Sequence, residues 1–367
     1  MQGADSVVER SYARYVVQKV VAESELVKSF HLVTEDGGPL EPHLPGQHLP
    51  LKLTIPGQAR PVYRCYTISN YAAPFYRLTI KKELPPADKP DVVGGLSSHY
   101  FHEHVRPGTV IEAKPPSGSF WIDRRERHPL VMIAGGIGVT PMMSMLEAIA
   151  HTHAERDVYF FFALRHAGDH VFKQRLNELG REDPRLRLHV IYENAGAEDV
   201  PGRDYHAVGR IGVEMLRAAL PTLDMEYYIC GPAGMMKAVS EQLLGERVAS
   251  AKIRTESFGP SSVALRALIS SDSTAQSALQ DAGGVTVTFA RSEVSVLWTG
   301  EVQTLLQLAE MNGIDIPSGC QYGDCGTCMT RLVKGTVQYL HPTGARPDAG
   351  TCLPCSCQPE GSVVLDA

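Results

Sequence analysis

The sequence predicts a multidomain protein: a small antiparallel β-barrel, then a parallel-sheet α/β domain, then a small α+β domain. Short alternating segments with turn residues between them fill the first part of the chain, as in a barrel. Apolar strands then alternate with helical segments, which favours a parallel sheet. A stretch rich in Ser, Ala and Gly precedes the last part. We therefore divide the chain into 11–124, 125–258, a linker at 259–283, and 284–367.

Composition limits the class of protein. A chain of 367 residues with 43% hydrophobic and 21% charged residues is an ordinary globular chain of two or three domains. Its net charge of −6 argues against a nucleic-acid partner. The N-terminus has no basic region followed by an apolar core, so we expect no secretory signal and a cytoplasmic location.

A membrane-spanning alternative concerns residues 129–146, which carry no charge and reach the length of a transmembrane segment. This run contains a glycine-rich turn and Thr140-Pro141. A buried strand, a turn and a helix explain it better, and we expect no membrane insertion.

The elements follow from local patterns. In the barrel, strands are predicted from alternation at 14–33, 49–53, 64–69 and 76–82. In the α/β domain, strands are predicted at 130–134, 157–164, 186–192 and 226–230, and helices at 142–149, 172–179 and 213–220. In the last domain, a hairpin is predicted at 285–298 and an amphipathic helix at 304–311.

A cysteine loop follows that helix. Six of the eight cysteines lie between Cys320 and Cys357, which indicates a metal or cluster site in a reducing compartment. Cys320, Cys325 and Cys328 have the Cys-x4-Cys-x2-Cys spacing of plant-type [2Fe–2S] ligands. Glycines at two loop positions allow backbone N–H groups to approach the sulfurs. The fourth ligand must come from Cys352, Cys355 or Cys357.

A zinc site is the competing interpretation. Cys325 and Cys328 form one CxxC pair, and Cys352 and Cys355 form another, with 23 residues between the pairs. Zinc sites of this type have roughly 15–20 residues between the pairs. Zinc would also leave Cys320 without a role, so we favour the cluster.

The barrel contains a candidate flavin motif, Arg64-Cys65-Tyr66-Thr67. Arginine binds phosphate with two donors, an aromatic ring packs on an isoalloxazine, and a hydroxyl can hydrogen-bond flavin N5. The alternative is that this segment is an ordinary edge strand with a solvent-exposed arginine and no role in binding. A second signal is the segment 94–98, Gly-Gly-Leu-Ser-Ser, before a predicted helix at 99–104, because helix N-termini bind phosphate.

The α/β domain contains a glycine loop at 135–141, Gly-Gly-Ile-Gly-Val-Thr-Pro, between the apolar strand and a helix. Glycines permit close approach of a pyrophosphate, and the helix N-terminus attracts it. We expect Thr140 to be the N-cap of this helix and Pro141 to follow in its first turn. The loop is not the GxGxxG fingerprint, and a tight βα turn is the alternative. Two further candidate segments are 230–232, Cys-Gly-Pro, and 255–258, Thr-Glu-Ser-Phe.

Residues 284–367 resemble a plant-type ferredoxin of the β-grasp fold, on the cysteine spacing and the segment 355–359. The resemblance favours Cys355 as the fourth ligand. We expect Cys352 and Cys357 to be small core residues, since free cysteines are usually buried. Tyr322 departs from the small or apolar residue often found at its position.

Residues 11–258 resemble the ferredoxin–NADP reductase superfamily, with all motifs in the family's order. The resemblance implies that the motif at 64–67, Cys65 included, positions the flavin. It also implies that Ser97 and Ser98 bind the pyrophosphate, and that Gly118, where FMN-binding members have Asn, favours FAD over FMN. The expected nicotinamide-dinucleotide residues are Gly135, Gly136, Gly138, Thr140, Pro141, Gly231 and Pro232.

The same resemblance implies that Cys230 lies near nicotinamide C4 and that Glu256 and Phe258 face the flavin. We expect Thr67, Cys230 and Glu256 to orient the reactants and move protons at the flavin. Arg165, just after a predicted strand, is placed to bind a 2′-phosphate. Many NADH-dependent relatives also carry Arg there, so we favour NADH over NADPH.

The expected function is a three-domain reductase that passes electrons from NADH through FAD and a [2Fe–2S] cluster to a terminal oxygenase, most simply a Rieske-type monooxygenase or demethylase. A P450 or diiron oxygenase is an alternative acceptor. A second alternative is reduction of a small molecule, as in flavohaemoglobins, although only a dozen residues precede the barrel. A third is a redox-sensing or assembly subunit with a structural reductase half. We expect a monomer.

Overall fold

The structure is a computed structural model that describes residues 12–85, 94–153, 155–258 and 284–367. The N-terminal part of the chain forms an antiparallel barrel. The predicted linker, 259–283, lies outside these residues. The sheet has the order β4-β3-β6-β1-β2-β5. An antiparallel bridge between Ile68 and Leu78 joins the end of β4 to β5 and closes it. The elements are β1 (Ala13–Ala22), β2 (Val27–Thr34), β3 (His48–Leu53), β4 (Val62–Thr67), β5 (Tyr76–Lys81), α1 (Leu96–Glu103) and β6 (Val110–Ala113).

The middle part is a six-stranded parallel sheet of order β10-β9-β8-β7-β11-β12. Because the chain runs outward from β7 in both directions, the order reverses beside β7, and ligands bind at such switch points. Alternate residues of β7 face two cores, one under α2 and α3 and the other under α4 and α5. The elements are β7 (Leu130–Gly135), α2 (Val139–Thr152), β8 (Val158–Leu164), α3 (Lys173–Glu182), β9 (Leu186–Tyr192), β10 (Ala207–Val208), α4 (Val213–Ala219), β11 (Glu226–Cys230), α5 (Ala233–Gly245) and β12 (Ile253–Glu256).

The predicted start of α2 was wrong. The helix begins at Val139 with Gly138 as its N-cap, directly after a 3-10 turn over Gly136–Gly138. Thr140 is therefore inside the helix, and its hydroxyl donates back to the Ile137 carbonyl. The reason is that the glycine turn already has helical geometry, so no side-chain cap is needed at Thr140.

The C-terminal part is a mixed five-stranded sheet of order β14-β13-β19-β15-β17, with a two-stranded β16-β18 ladder and one helix against it. Thr304 caps this helix in a capping box with Gln307. The arrangement is the predicted α+β fold. The elements are β13 (Thr286–Phe289), β14 (Val294–Leu297), α6 (Leu305–Met311), β15 (Thr330–Lys334), β16 (Val337–Tyr339), β17 (Thr351–Cys352), β18 (Cys357–Pro359) and β19 (Val363–Leu365).

A partly buried ion pair joins the barrel to the parallel-sheet domain. Arg77 Nη2 lies 3.0 Å from Glu147 Oε1, and the Tyr71 backbone N–H donates to Glu147 Oε2 at 2.9 Å. These contacts join the barrel to α2 of the parallel-sheet domain. Among the residues that the structure describes, no helix has the length and apolarity needed to cross a membrane.

Candidate functional site

A cleft of about 540 Å³ lies where the three domains meet. The barrel contributes the end of β4 and the start of α1, the parallel-sheet domain contributes the turn after β7 and the segment 255–258 at the end of β12, and the C-terminal domain contributes the cysteine loop. The lining residues relevant to the predictions are Arg64, Cys65, Tyr66, Thr67, Ser97, Ser98, Thr140, Glu256, Phe258 and Cys320. Motifs from three separate parts of the sequence are thus brought to one place.

The β4 motif presents its side chains to the cleft. The Tyr66 and Ser97 hydroxyls lie 3.0 Å apart, which ties the strand to the first turn of α1. The Thr67 hydroxyl is buried and has no hydrogen-bond partner among the described residues. A buried hydroxyl without a partner is unfavourable, and the hydrogen-bonding edge of an isoalloxazine would satisfy it. The wall of this cleft therefore fits a flavin.

The two serines of α1 differ in their contacts. The Ser98 hydroxyl donates to the Gly95 carbonyl at 2.8 Å and accepts from the Glu83 backbone N–H at 3.1 Å. Ser98 therefore shapes the loop, whereas Ser97 contacts Tyr66 at the cleft wall. The N–H groups of the first turn of α1 are placed for an anion.

The closing turn of the barrel requires a glycine for a packing reason. Gly118 has a φ of +118°, and a Cβ atom there would lie 2.9 Å from His48 Nδ1. His48 is buried on β3, and its Nδ1 lies 3.9 Å from Glu256 Oε1. Burial lowers the pKa of His48, but Glu256, reinforced by Asp324, raises it above its ordinary value overall. A protonated His48 between two carboxylates would bind the three domains together electrostatically.

The glycine loop after β7 has two kinds of glycine. A Cβ atom at Gly138 would lie 2.2 Å from the Cys230 carbonyl oxygen, and one at Gly135 would lie 2.7 Å from the Met235 sulfur. These two glycines are required by packing against the turn after β11. Gly136 has a φ of +51° and open space where its side chain would be. It is the position where a dinucleotide backbone can approach.

We predict that Gly138→Ala destabilises the parallel-sheet domain by roughly 3 kcal/mol, because two backbone segments must separate. Gly136→Ala should destabilise it by only about 1 kcal/mol through left-handed strain. However, Gly136→Ala should raise the KM for NADH several-fold. Urea unfolding and steady-state kinetics on the two variants would measure this difference. Equal losses of stability would contradict the assignment of separate roles.

The strands β11 and β12 place two predicted catalytic residues side by side. Cys230 and Glu256 are direct partners in the parallel register. Cys230 is fully buried, and burial, followed by the nearby Glu256 carboxylate, raises the pKa of its thiol well above the ordinary range. Its thiol is therefore held in the neutral form. Phe258 is 45% exposed at the cleft, whereas Arg165 is exposed and outside the cleft lining.

The cysteine loop brings four sulfurs together. The Cys328 and Cys355 sulfurs lie 3.1 Å apart, and the Cys320 backbone N–H donates to the Cys325 sulfur at 3.3 Å. Cys352 and Cys357 are both fully buried in the core of this domain. The set Cys320, Cys325, Cys328 and Cys355 is the predicted cluster ligand set, whereas the alternative zinc set would need Cys352 at this point.

The backbone around these sulfurs supplies donors. The N–H groups of Tyr322, Asp324 and Cys325 point at the Cys320 sulfur at 3.3, 3.3 and 3.4 Å. The Gly323 N–H points at Cys355 at 3.1 Å, with a φ of +76°. Such donors stabilise the negative charge of thiolate ligands, so the loop fits a [2Fe–2S] cluster.

Contacts between the cysteine loop and the barrel were missed by sequence reasoning. The Ser119 hydroxyl donates to Asp324 Oδ2 at 3.0 Å, and Arg60 pairs with Asp315. Both residues of the second pair are largely exposed, so it contributes little. Ser119 directly follows the Gly118 turn, and Asp324 lies within the cysteine spacing. Neither residue belongs to a sequence motif that would have predicted this contact.

Three family models match the chain, one for each domain. Residues 15–122 match an oxidoreductase FAD-binding domain, residues 132–241 an oxidoreductase NAD-binding domain, and residues 287–360 a 2Fe-2S iron-sulfur cluster binding domain. These are the domains of NAD(P)H-dependent flavin iron–sulfur oxidoreductases. FAD, a nicotinamide dinucleotide and a [2Fe–2S] cluster are the cofactors that such domains bind.

Curated relatives include a flavohemoprotein of Deinococcus radiodurans, which is 36% identical over 253 residues. The match covers 69% of this chain and 60% of that protein. Thus the chain spans about 60% of the length of the curated relatives it matches.

Two solved structures illustrate the likeness. The FAD/NAD-binding domain of a nitric oxide dioxygenase from Vibrio cholerae is 33% identical, with a TM-score of 0.60, covering 68% of this chain and all of that one. Phthalate dioxygenase reductase, described as a modular structure for electron transfer from pyridine nucleotides to [2Fe-2S], shares the fold over 97% of this chain and 98% of its own, with a TM-score of 0.55 and 20% identity. The chain belongs to the ferredoxin–NADP reductase superfamily, as a flavin and nicotinamide reductase joined to a C-terminal plant-type [2Fe–2S] ferredoxin domain.

Proposed function

We propose that this protein is an electron-transfer reductase that takes electrons from NADH and delivers them, through FAD and the cluster, to an oxygenase. The observation that carries the proposal is the single cleft that joins the flavin motif, the end of the parallel sheet and the cysteine loop. No long path separates the three sites, because residues from all of them line the same space. We take the domain limits to be 11–124, 125–258 and 284–367.

The cofactors supply the redox chemistry: a flavin accepts two electrons as a hydride from the nicotinamide and passes them singly to a one-electron cluster. The residues of this chain hold and orient them. Thr67 offers its buried hydroxyl at the cleft wall, and Arg64 and the start of α1 offer positive potential for the pyrophosphate. His48 Nδ1 lies 3.9 Å from Glu256 Oε1, so a proton on His48 would be stabilised by that carboxylate.

We further propose that Cys320, Cys325, Cys328 and Cys355 ligate the cluster, with their loop held against the barrel by the Ser119–Asp324 hydrogen bond. This position brings the accepting site next to the flavin site, and proximity favours fast transfer. Gly135, Gly136 and Gly138 form the dinucleotide turn with Gly231 and Pro232. We retain FAD and NADH as the preferred forms.

The acceptor we propose is a terminal oxygenase, with a Rieske-type oxygenase as the first candidate. Phthalate dioxygenase reductase has the same three-domain fold over nearly the whole chain, which supports this class by analogy. A fused ferredoxin domain allows the reductase to transfer electrons one at a time to another protein. A P450 or diiron oxygenase would use the same device and remains an alternative acceptor.

A small-molecule acceptor is the second candidate, favoured by the 36% identity of the reductase part to a flavohemoprotein. The two are separated by comparing acceptors. If an oxygenase is the acceptor, loss of the cluster should stop turnover. If a small molecule takes electrons directly from the flavin, turnover should persist without the cluster.

The first test is a visible spectrum of the anaerobically purified protein before and after one equivalent of NADH. We expect flavin bands together with broad cluster absorbance, both bleaching on addition of NADH. Flavin bands alone, without cluster absorbance in freshly purified protein, would overturn the electron relay. Bleaching with NADPH but not NADH would overturn only the choice of donor.

A further inference from the structure

A chain of buried hydroxyl groups crosses the barrel beside the cleft. The Ser29 hydroxyl lies 2.6 Å from Glu23 Oε1 and 2.8 Å from the Thr79 hydroxyl. The Thr79 hydroxyl lies 2.8 Å from that of Ser69, which is in turn 2.9 Å from the Arg77 carbonyl oxygen. A continuous series of short polar contacts therefore connects a half-buried carboxylate just after β1 to the backbone of β5.

This chain lies under the interface between the barrel and the parallel-sheet domain. Ser29 and Thr79 are direct partners in the register of β2 with β5. Val27, on the same face of β2 as Ser29, packs in the core of the parallel-sheet domain. Ser29 and Ser69 are fully buried and Thr79 nearly so, whereas Glu23 is partly exposed. The hydroxyl groups are thus shielded from water, and the chain reaches solvent at its carboxylate end.

The inner end of the chain meets the proposed flavin site. Thr79 and Thr67 both line the cleft. The antiparallel bridge between Ile68 and Leu78 places Thr67 opposite Thr79, with both side chains on one face of the sheet. Glu23 is not one of the cleft-lining residues among those that the structure describes. The chain therefore runs from the flavin site to a carboxylate outside the cleft.

The hydroxyl groups can orient their hydrogens in two ways. When Glu23 is ionised, every hydroxyl donates toward it, so that Ser29 donates to the carboxylate. When Glu23 is protonated, every bond can reverse, so that Ser69 donates to the Arg77 carbonyl. Each hydroxyl donates once and accepts once in both orientations, so no hydrogen lacks an acceptor in either. A chain with two complete orientations can pass a proton by one exchange of O–H bonds at each oxygen.

The proposed reaction leaves a proton to be removed from the flavin site. A hydride carries two electrons and one proton, so each NADH yields NAD⁺, two electrons and one proton. The cluster accepts the electrons but not the proton. One proton must therefore leave the flavin site for each NADH oxidised, through groups that reach water.

We propose that Thr79, Ser29 and Glu23 form the path by which this proton leaves. As the electrons depart, the proton passes to the Thr79 oxygen, the Thr79 hydroxyl proton passes to Ser29, and the Ser29 hydroxyl proton passes to Glu23. Each hydroxyl breaks one O–H bond and forms another, and the carboxylate then releases the proton to water. This inference rests on the proposed function, in which a flavin occupies the cleft.

The experiment is stopped-flow reoxidation of the intact holoprotein, titrated to full reduction with dithionite and mixed with ferricyanide in water and in deuterated water. Ferricyanide takes single electrons from the flavin, so the measurement does not depend on the cluster. Glu23→Gln should slow flavin reoxidation about tenfold and increase the solvent isotope effect, because an amide can donate to Ser29 but cannot take up the proton. Reduction of the flavin by NADH should stay within about twofold of wild type, because hydride transfer requires no proton from solvent.

Three further variants separate a proton path from a structural contact. Thr79→Val should slow reoxidation as Glu23→Gln does, and Thr79→Ser, which keeps the hydroxyl, should restore the rate. The matched control is Ser144→Ala, because the buried Ser144 hydroxyl joins α2 to the barrel outside the chain. This control should leave the reoxidation rate and the solvent isotope effect unchanged.

The melting temperature of the flavin-free protein gives a readout that does not involve turnover. Glu23→Gln keeps a hydrogen-bond partner for Ser29 and should melt within a few degrees of wild type. Glu23→Ala removes that partner from a buried hydroxyl and should melt several degrees lower. A Glu23→Ala protein as stable as wild type would contradict the contact on which the path depends.

An unchanged reoxidation rate and solvent isotope effect in Glu23→Gln and Thr79→Val would overturn the inference. The proton would then leave through the open cleft or through His48 and Glu256. Equal slowing in Ser144→Ala would also overturn it, because the cause would be packing at the interface. Failure of the proposed function would be seen differently, as wild-type protein that lacks flavin bands or is not reduced by NADH.

Discussion

Cys325→Ala is expected to abolish reduction of cytochrome c by NADH, with a loss of at least about a hundredfold, while NADH-dependent ferricyanide reduction stays within about twofold. Cytochrome c takes single electrons from the cluster, whereas ferricyanide accepts them from the flavin itself. Cys325 is 8% exposed and lies in the same loop as two of the other three proposed ligands. Replacing it with alanine would leave the cluster with three of its four proposed cysteine ligands. Steady-state assays with the two acceptors, together with iron analysis, measure the effect.

The matched control is Cys352→Ala. Cys352 is fully buried in the core of the same domain, beside the nearly buried Cys328 and Cys355, but it is not a proposed ligand. This variant should be somewhat less stable and should keep both its cluster and its cytochrome c activity. If Cys352→Ala loses metal while Cys320→Ala retains it, the zinc set would be correct and the cluster assignment wrong. Loss of ferricyanide activity in Cys325→Ala would contradict the independence of the flavin half.

The fold was predictable where local patterns decide it. The strands at 49–53 and 130–134 carry clear alternating or continuous apolar patterns, and both form within a residue or so of the expected limits. The strands that were missed are short: β6 has four residues and β17 has two. Their pairing depends on neighbours from distant parts of the chain, such as β6 between β1 and β3, which no local window contains.

The candidate site was predictable where chemistry fixes both spacing and residue type. The cysteine spacing 320–328 identified a loop whose sulfurs converge, since thiolates must be a fixed distance apart to share a cluster. The choice of Cys355 as the fourth ligand needed a family resemblance, because spacing alone did not distinguish Cys352, Cys355 and Cys357. In the structure, Cys355 approaches Cys328 whereas Cys352 does not join the set.

Contacts between domains were not predictable. Cys65 was expected to act only with the flavin motif, yet its sulfur lies on the same side of Gly319 as that of Cys325, 260 positions later in the sequence: a Cβ atom at Gly319 would lie 3.4 and 3.2 Å from the two sulfurs. Ser119 and Asp324 are likewise far apart in sequence and close in space. A sequence contains no periodic signal for a contact between two folded surfaces, since it depends on how the surfaces rest against each other.

Thr67→Val is expected to slow reduction of the flavin by NADH roughly tenfold to a hundredfold, the effect of losing one well-placed hydrogen bond in a water-poor site. The Thr67 hydroxyl is buried at the cleft wall with no partner among the described residues. Valine has nearly the same shape and removes only the hydroxyl. The same change should therefore stabilise the flavin-free protein by about 1 kcal/mol, because an unsatisfied buried polar group disappears. Stopped-flow reduction and thermal unfolding measure the two effects.

If Thr67→Val slows flavin reduction but stabilises the flavin-free protein, the hydroxyl serves the flavin site and not the fold. If the Thr67 hydroxyl were part of the fold, Thr67→Val would lower the stability of the flavin-free protein. Thr67→Ser retains the hydroxyl and should keep the reduction rate within a few-fold of wild type, at some cost in packing of the lost methyl group. A Thr67→Val protein that binds flavin and is reduced at the wild-type rate would rule out a role for this hydroxyl at the flavin. The buried oxygen would then be only a packing defect in the barrel.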